Sequence, residues 1–548
     1  MRVLRALRNL LRHVAREPVW ALTAVILSPI RIGRHLLAVV AIFLLTALAL
    51  LFCTSFLVGW LGVAKDTLPY KAVYGTVSLI LLLVVLRALL NPLLTRYGQP
   101  EGDNTHGSAR FAGDRETVAL KRGTGLVIGR AAKGRQLLRY DGPAHLLTIA
   151  PTRSGKGVST IIPNLLDRQG SVVCVDPKGE NARVTLRARS AMGPVHILDP
   201  FGVVDGSAAF NPLDGIDPNS LDLADDCMTL ADALVHDAPG EGGEAHWNEE
   251  AKALIAGFIL HVVTTATPVD RSLATLREYL TLAPEAFRTL LAEMQAQGGL
   301  VARAANRQLG KSDREAAGVL SAAQRHTHFL DSPRMTQVLG RSDFTFADLK
   351  ARTVTVFLVL PPDRLATYSR WLRLMVAQGL TDLVRAPGQP TTPILYLLDE
   401  FAALGRLEPV ERAMGLMAGY GIQLWPILQD VHQLRALYGQ KAGTFLSNAG
   451  VLQVFGVNDH DSAKLISDLL GQETVIFQTM SRALDAAGSG ISYSAHHSGR
   501  PLLTPDEVRT LPSDLQLLFL AGQRPIVAGK LRYYSDREFA GKFDALQA

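Results

Sequence analysis

Between Leu36 and Val63 the chain reads LLAVVAIFLLTALALLFCTSFLVGWLGV, without a charged residue. An α-helix needs roughly 20 apolar residues to cross a bilayer, and the helices of soluble domains usually keep a polar face. The run therefore predicts a membrane span over about 36–63. A second apolar run, Ala72 to Leu94, contains one charge, Arg87, whose long stem can carry its head to the interface. It predicts a second span over about 72–94. Seven arginines precede the first run, and no small-residue cleavage site follows a short apolar core, so a retained anchor is expected rather than a removed signal peptide.

Those arginines face a connecting loop that holds only Lys65, Asp66 and Lys71, which places both chain ends in the cytoplasm by the positive-inside rule. Arg2, Arg5, Arg8, Arg12 and Arg16 alternate with Leu4, Leu7, Leu10 and Leu11, a pattern that suits either an amphipathic helix on anionic lipid or a solvated helix. The first hundred residues hold eleven Lys and Arg against two acids, while the whole chain carries +6, so the remainder is net negative. A histone-like, globally basic surface is thereby excluded. Three cysteines, Cys53, Cys174 and Cys227, form no CxxC pair and point to a reducing compartment rather than a disulfide or zinc scaffold.

Residues 98–108, GQPEGDNTHGS, read as a linker. Beyond it, apolar runs of strand length alternate with helical patterns: HLLTIA, SVVCVD, VTVFLVL, ILYLLDE, LWPILQ and VLQVFGV. Continuous hydrophobicity implies strands covered on both faces, the pattern of a parallel α/β sheet. Between about 215 and 335 the period changes. Leu223, Cys227, Leu230 and Leu234, then Leu254, Ile255, Phe258, Ile259 and Val262, recur at helical spacing. This predicts an all-α insertion, 215–335, inside an α/β domain of 98–214 and 336–548. Residues 484–499, rich in Ala, Ser, Gly and His, read as a mobile loop.

The chemistry concentrates in HLLTIAPTRSGKGVS, His145 to Ser159, where a strand runs into a tight polar turn and then a helix beginning near Val158. That is the setting of a phosphate-binding loop. Thr152, Arg153, Ser154, Gly155, Lys156, Gly157 and Val158 would form the cradle, with Lys156 reaching the β- and γ-phosphates. The GxxxxGK[ST] pattern expects glycine at Ala150, tolerable if φ there is negative, and a magnesium-binding hydroxyl at Gly157. Ser159, about 200° round the helix, cannot replace that hydroxyl. ILYLLDE ends a strand on Asp399 and Glu400, where α/β sheets place ligands. Asp399 would hold magnesium and Glu400 would polarise water; a solvated acidic cap is the plainer alternative. Gln429, at the end of LWPIL, could orient that water, and DPKGE, Asp176 to Glu180, could be a second lip with Lys178 near phosphate, or simply a turn.

Eight segments occur in order: HGSARFA (106–112), APTRSGKGVSTIIPNLL (150–166), DPKGEN (176–181), FNPLD (210–214), KSDREAAGVLSAAQRH (311–326), LLDEFAALGRL (397–407), MAGYGI (417–422) and RPLLTPDEVRTLP (500–512). The chain resembles the type IV secretion coupling proteins of the TraG/VirD kind, whose phosphate loop often reads GKG. The resemblance implies a cytosolic RecA-like P-loop ATPase with an all-α domain, carried on two transmembrane helices in the bacterial inner membrane and assembled as a ring of six with a central channel. It implies ATP and Mg2+ bound between neighbours, with an arginine supplied in trans. Arg406 and Arg412 are both candidates, and the arginine that some family members carry just ahead of the equivalent of Gly421 is not matched. The implied cargo is a conjugative relaxase with its single-stranded DNA, or effector proteins, delivered to the secretion channel by ATP hydrolysis. A non-hydrolysing docking receptor and a cell-division-type DNA translocase are the alternatives. The first has no use for Glu400, and the second usually carries four spans.

Overall fold

The structure, a computed structural model, describes residues 28–60, 67–97, 105–132, 136–235, 245–482 and 491–545, with a few single positions besides. The expected amphipathic arginine stretch, residues 98–104 of the linker, and 483–490 of the expected loop lie outside the described residues. The chain divides into two compact units, Met1–Ser108 and Ala109–Ala548.

The first unit holds α1 (Ser28–Trp60) and α2 (Leu68–Tyr97), seven residues apart in the chain. Their apolar windows, Phe43–Trp60 and Leu68–Arg87, are each only 6% buried. Leu48, Phe52 and Phe56 on α1 and Leu82 and Leu83 on α2 point outward. An exposed apolar surface of that extent suits lipid and not water. By length and composition both helices can cross a membrane.

The second unit is built on an eleven-stranded sheet. Two short strands, β1 (Leu126–Ala131) and β2 (Leu137–Tyr140), precede the body of the sheet. The body comprises β3 (His145–Ile149), β4 (Val172–Asp176), β5 (Val195–Leu198), β6 (Thr355–Val359), β7 (Ile394–Leu398), β8 (Ile422–Leu428) and β9 (Ala449–Val454). These seven lie in the order β9-β3-β8-β7-β4-β6-β5 and are all parallel. Every residue of β3, β4, β6, β7 and β8 is buried, as two-sided cover by helices requires.

The expectation of a parallel sheet is incomplete at one edge. β12 (Leu515–Leu520) pairs antiparallel with β9, β13 (Ile526–Gly529) with β12, β1 with β13, and β2 with β1. Five residues separate β1 from β2 and five separate β12 from β13, and connections that short permit only antiparallel pairing. The expected mobile loop is also corrected: Ile491–Pro501 is β11, which pairs residue for residue with β10 (Gln472–Arg482) in a separate hairpin.

Between β5 and β6 no strand occurs among the described residues; the helices Leu223–Leu234, Ala245–Thr265, Leu273–Leu280, Pro284–Gln297, Gly299–Leu309 and Asp313–Thr327 fill the interval. Leu230, Leu234, Ile255, Phe258, Ile259 and Val262 are buried there, in a core continuous with one face of the sheet. On the other side of β3, the helix α3 opens with a π-wound turn, Gly157–Ile161, and continues through Ile162–Asp167. Ile162 and Leu166 pack on Leu531, Tyr533 and Phe539 of the C-terminal segment. Asn164 fixes α3 to β1 by accepting from Val127 N at 2.9 Å and donating to Val127 O at 2.9 Å.

Beneath the phosphate loop a buried polar chain crosses the sheet. Trp425 donates to Thr148 Oγ1, Thr148 and Thr160 donate to Gln453 Oε1, and Gln453 donates to Gln516 Oε1 at 2.7 Å. Gln516 in turn donates to the Ile128 and Gly529 carbonyls. With its members satisfied by one another, such a network fixes strand register in a way apolar contacts cannot.

Candidate functional site

The register of the parallel strands brings four chain crossings to one edge. Ile149 of β3 is level with Leu428 of β8, Leu398 of β7 with Pro426, and Val175 of β4 with Leu398. The loops that follow carry Pro151–Lys156, Gln429, Asp399–Glu400 and Asp176–Lys178. The C-terminal edge of an α/β sheet is where ligands bind, because helix N-termini converge there.

The turn after β3 begins with Ala150 fully buried and its amide on the Leu428 carbonyl at 2.8 Å. Ala150 is not among the positive-φ residues. Within this loop those are Arg153 at 62° and Gly155 at 91°. A glycine is therefore not needed at Ala150, while Gly155 requires one. Arg153, in the left-handed region without that freedom, is held there by its surroundings. Ser154 N bonds Pro151 O at 3.1 Å and Ser159 N bonds Gly155 O at 2.8 Å, closing the loop onto the first turn of α3. The amides around Gly155 to Val158 sit at the open end of that helix, where backbone donors have no upstream carbonyl. A Cβ on Gly157 would meet nothing within 4 Å. The Ser159 hydroxyl donates to Leu531 O at 2.7 Å, so it is committed to the C-terminal segment and faces no metal position.

Lys156 crosses to the acid pair. Its Nζ lies 2.8 Å from Asp399 Oδ1 and 2.5 Å from Glu400 Oε1. Burial opposes its charge, but the two carboxylates outweigh burial and raise its pKa. The acids respond differently. At Asp399 burial dominates and lifts the carboxyl above its ordinary value despite the ammonium. At the less buried Glu400, burial is outweighed by Lys156, with help from Gln429 and Lys178, and the pKa falls. Glu400 has φ of 50°, a left-handed conformation that is uncommon for a residue with a side chain and that turns its carboxylate toward Lys156.

Gln429 joins the two halves of the site. Its Oε1 accepts from Thr152 Oγ1 at 3.2 Å and its Nε2 donates to Glu400 Oε2 at 3.1 Å. Its own amide is held by Gln433 Oε1 at 3.0 Å. Asp176, beside Asp399 by strand register, is buried and pushed up to about 6, chiefly by burial and against bonds from the Ala182 and Asn181 backbone amides. Lys178 is close enough to Glu400 to favour its ionised form.

The residues singled out by motif thus meet: Lys156, Asp399, Glu400, Gln429 and Thr152 are linked by direct contacts. Arg406 instead faces Glu408 and Glu411 at 3.4 and 3.6 Å, and Arg412 is exposed. Two neighbours carried no sequence signal. Arg373, buried on the helix α4 (Pro362–Arg385), donates to the Leu404 and Arg406 carbonyls at 2.7 and 2.8 Å, pinning the segment after Glu400. Lys530, just beyond β13, donates to Ser154 O at 3.2 Å.

Residues 103–547 match the family model described as Type IV secretory system Conjugative DNA transfer. A conjugal transfer protein TraG of Escherichia coli is 30% identical over 511 residues, covering 82% of this chain and 80% of that protein. Protein VirD4 of Rhizobium rhizogenes is 29% identical over 475 residues, covering 80% and 67%. Among solved structures, the bacterial conjugative coupling protein TrwB in an unbound monoclinic form superposes with a TM-score of 0.62 at 19% identity, over 79% of this chain and 96% of that one. TrwB in complex with ADP and Mg2+ superposes at 0.60, with 19% identity, over 77% and 93%. By the extent of the family match and of the TraG alignment, the chain belongs to the type IV secretory system conjugative DNA transfer family.

Proposed function

We propose that the chain is a membrane-anchored ATPase that receives relaxase-bound single-stranded DNA, effector proteins or both, and drives them into a type IV secretion channel by hydrolysing ATP. The observation that carries this reading is the contact set Lys156, Asp399, Glu400, Gln429 and Thr152 at the mouth of a phosphate-type loop. The residues fit a nucleotide. Ser154 Oγ is buried in the loop without a partner, and Asp399 offers the hard carboxylate oxygen that magnesium prefers. TrwB, of like fold, is described with ADP and Mg2+ bound, which supports the same assignment.

In this mechanism the amides of Thr152 to Val158 receive the phosphates at the positive end of α3. Lys156 exchanges its carboxylate partners for the β- and γ-phosphate oxygens. Asp399, relieved of the ammonium, is then the group that would hold magnesium, which when bound neutralises charge on those oxygens. Glu400 accepts the proton of the attacking water while Gln429 orients that water. Gln429 also reaches Thr152, so the water-positioning amide is tied to the loop that grips the phosphates.

The anchor, 1–97, lies in the inner membrane with both termini cytoplasmic; the RecA-like domain comprises 98–214 and 336–548, and the all-α domain 215–335. Six chains close into a ring, with Arg406 or Arg412 serving a neighbour's site and DNA gripped inside by salt-dependent, sequence-indifferent contacts. The test is transfer by cells carrying Lys156→Ala or Glu400→Gln, with phosphate release measured on the purified chain. Loss of both activities supports the motor. Full transfer of DNA and protein without hydrolysis overturns it and leaves a docking receptor.

A further inference from the structure

The ammonium of Lys530 lies against the outside of the phosphate loop. It donates to Ser154 O at 3.2 Å and to Phe455 O at 3.0 Å, and stands 4.6 Å from the centre of the Phe455 ring. The side chain is half-buried, and no carboxylate forms an ion pair with it among the described residues. Burial brings the amine down to about 8, with Asp514 the one acid that counteracts this at a distance. The next residue continues the same contact: Leu531 is fully buried and its carbonyl accepts from Ser159 of α3. Two successive residues of the C-terminal segment therefore hold the loop and the first turn of its helix from behind.

A partly desolvated cation whose partners are neutral carbonyls is costly unless an anion comes near. The charges on the opposite side of the loop make this sharper. Lys156 is matched against two acids, Asp399 and Glu400, so the inward-facing group contributes little positive potential to an arriving polyphosphate.

We infer that Lys530 is a positioning residue of the nucleotide site. It supplies through the Ser154 peptide a second positive charge that favours the bound phosphates, and it orients that peptide with its carbonyl outward. The inference rests on the ATPase reading above and adds to it a residue that the phosphate-loop motif does not contain. The substrate class is a nucleoside di- or triphosphate. A charge placed behind the loop acts on binding more than on the chemical step, because it stabilises ground and transition states nearly alike.

The experiment compares Lys530→Met, Lys530→Gln and Lys530→Arg with wild type in the full-length, detergent-solubilised chain, using calorimetric titration with ATP and with ADP, and steady-state hydrolysis. Lys530→Met and Lys530→Gln are expected to weaken both nucleotides about tenfold and to raise KM similarly, with kcat within about twofold, while Lys530→Arg stays near wild type. Lys530→Gln removes the charge while keeping a polar donor one bond nearer the backbone. If Lys530→Gln binds ATP as wild type does, or if kcat falls with KM unchanged, the inference is overturned. Melting temperatures without nucleotide control for folding: should Lys530→Met melt early, Lys530→Gln carries the decision. Lys156→Ala distinguishes the two levels of failure. If wild type and Lys156→Ala bind ATP equally weakly, the ATPase reading fails. If Lys156→Ala alone loses binding, only the role of Lys530 does.

Discussion

The Lys156 ammonium and the Asp399 carboxylate meet at 2.8 Å, joining the loops after β3 and β7 across the end of β8, which lies between them. One lysine cannot serve the acid pair and a polyphosphate with the same geometry, so nucleotide binding must break this ion pair. On the proposed reading the site is built on an exchange, in which phosphate would take Lys156 from Asp399 and free the carboxylate that would hold a metal.

Removing one acid should tilt that exchange. Glu400→Gln is expected to bind ATP at least as tightly as wild type, because Lys156 loses an anionic competitor, and to hydrolyse it about 10² to 10³ times more slowly, because the base is gone. Calorimetry and phosphate release together check this; weaker ATP binding would contradict the exchange.

Gly157 occupies the position of the usual magnesium-binding hydroxyl, and its surroundings leave room for a Cβ. Gly157→Ser should fold normally and raise the stability of the first turn of α3 by roughly 0.5 kcal/mol, the gain of a better helix former. It should also lower the magnesium concentration that supports half-maximal hydrolysis. A melting temperature several degrees lower would show that the glycine is needed for packing after all.

Arg373 is buried, has its pKa brought down to about 10 by burial, and bonds two carbonyls of the segment after Glu400. Arg373→Met should cost about 3 kcal/mol, since two charge-assisted bonds are lost and two carbonyls are left unpaired. Both bonds leave a single nitrogen, Nη1, which the lysine ammonium, one bond nearer the backbone, should replace only in part. Denaturant midpoints measure the first effect, and hydrolysis at saturating ATP should fall with it as Glu400 loses its support.

His145 opens β3, at the end of the strand away from the phosphate loop, with Nδ1 accepting from Leu424 N at 3.0 Å, so Nε2 carries the proton donated to Ala413 O at 2.9 Å. Burial keeps its pKa below the ordinary value, with the Ala413 bond opposing. Below about pH 6.5 the unfolded chain takes up a proton that the folded chain refuses. Stability contributed here is therefore complete above that pH and declines as pH falls toward the folded pKa. Denaturant midpoints from pH 8 to 5 should fall, and should fall less steeply in His145→Gln.

Local chemistry told a great deal. The uncharged run through Phe43–Trp60, the two-sided burial of β3, β7 and β8, and the strand-loop-helix setting of Lys156 are short-range properties that a sequence expresses directly through hydrophobicity and spacing. The antiparallel edge escaped because β12 and β13 take their places by pairing with strands far away in the chain, and β11 because its small and polar residues read as a loop.

Asp399, Glu400 and Gln429 could be marked as strand-end residues from sequence, but their contact with Lys156 follows from parallel register, which is a property of the assembled sheet. Lys530 and Arg373 lie in segments with no motif, and they matter because folding sets one behind Ser154 and the other behind Leu404. Sequence determined which groups could do phosphate chemistry and where the chain can enter a membrane, since those depend on residue type and neighbours a few positions away. Only the tertiary structure decided which charges face one another, because electrostatic interactions act through distance in space and not along the chain.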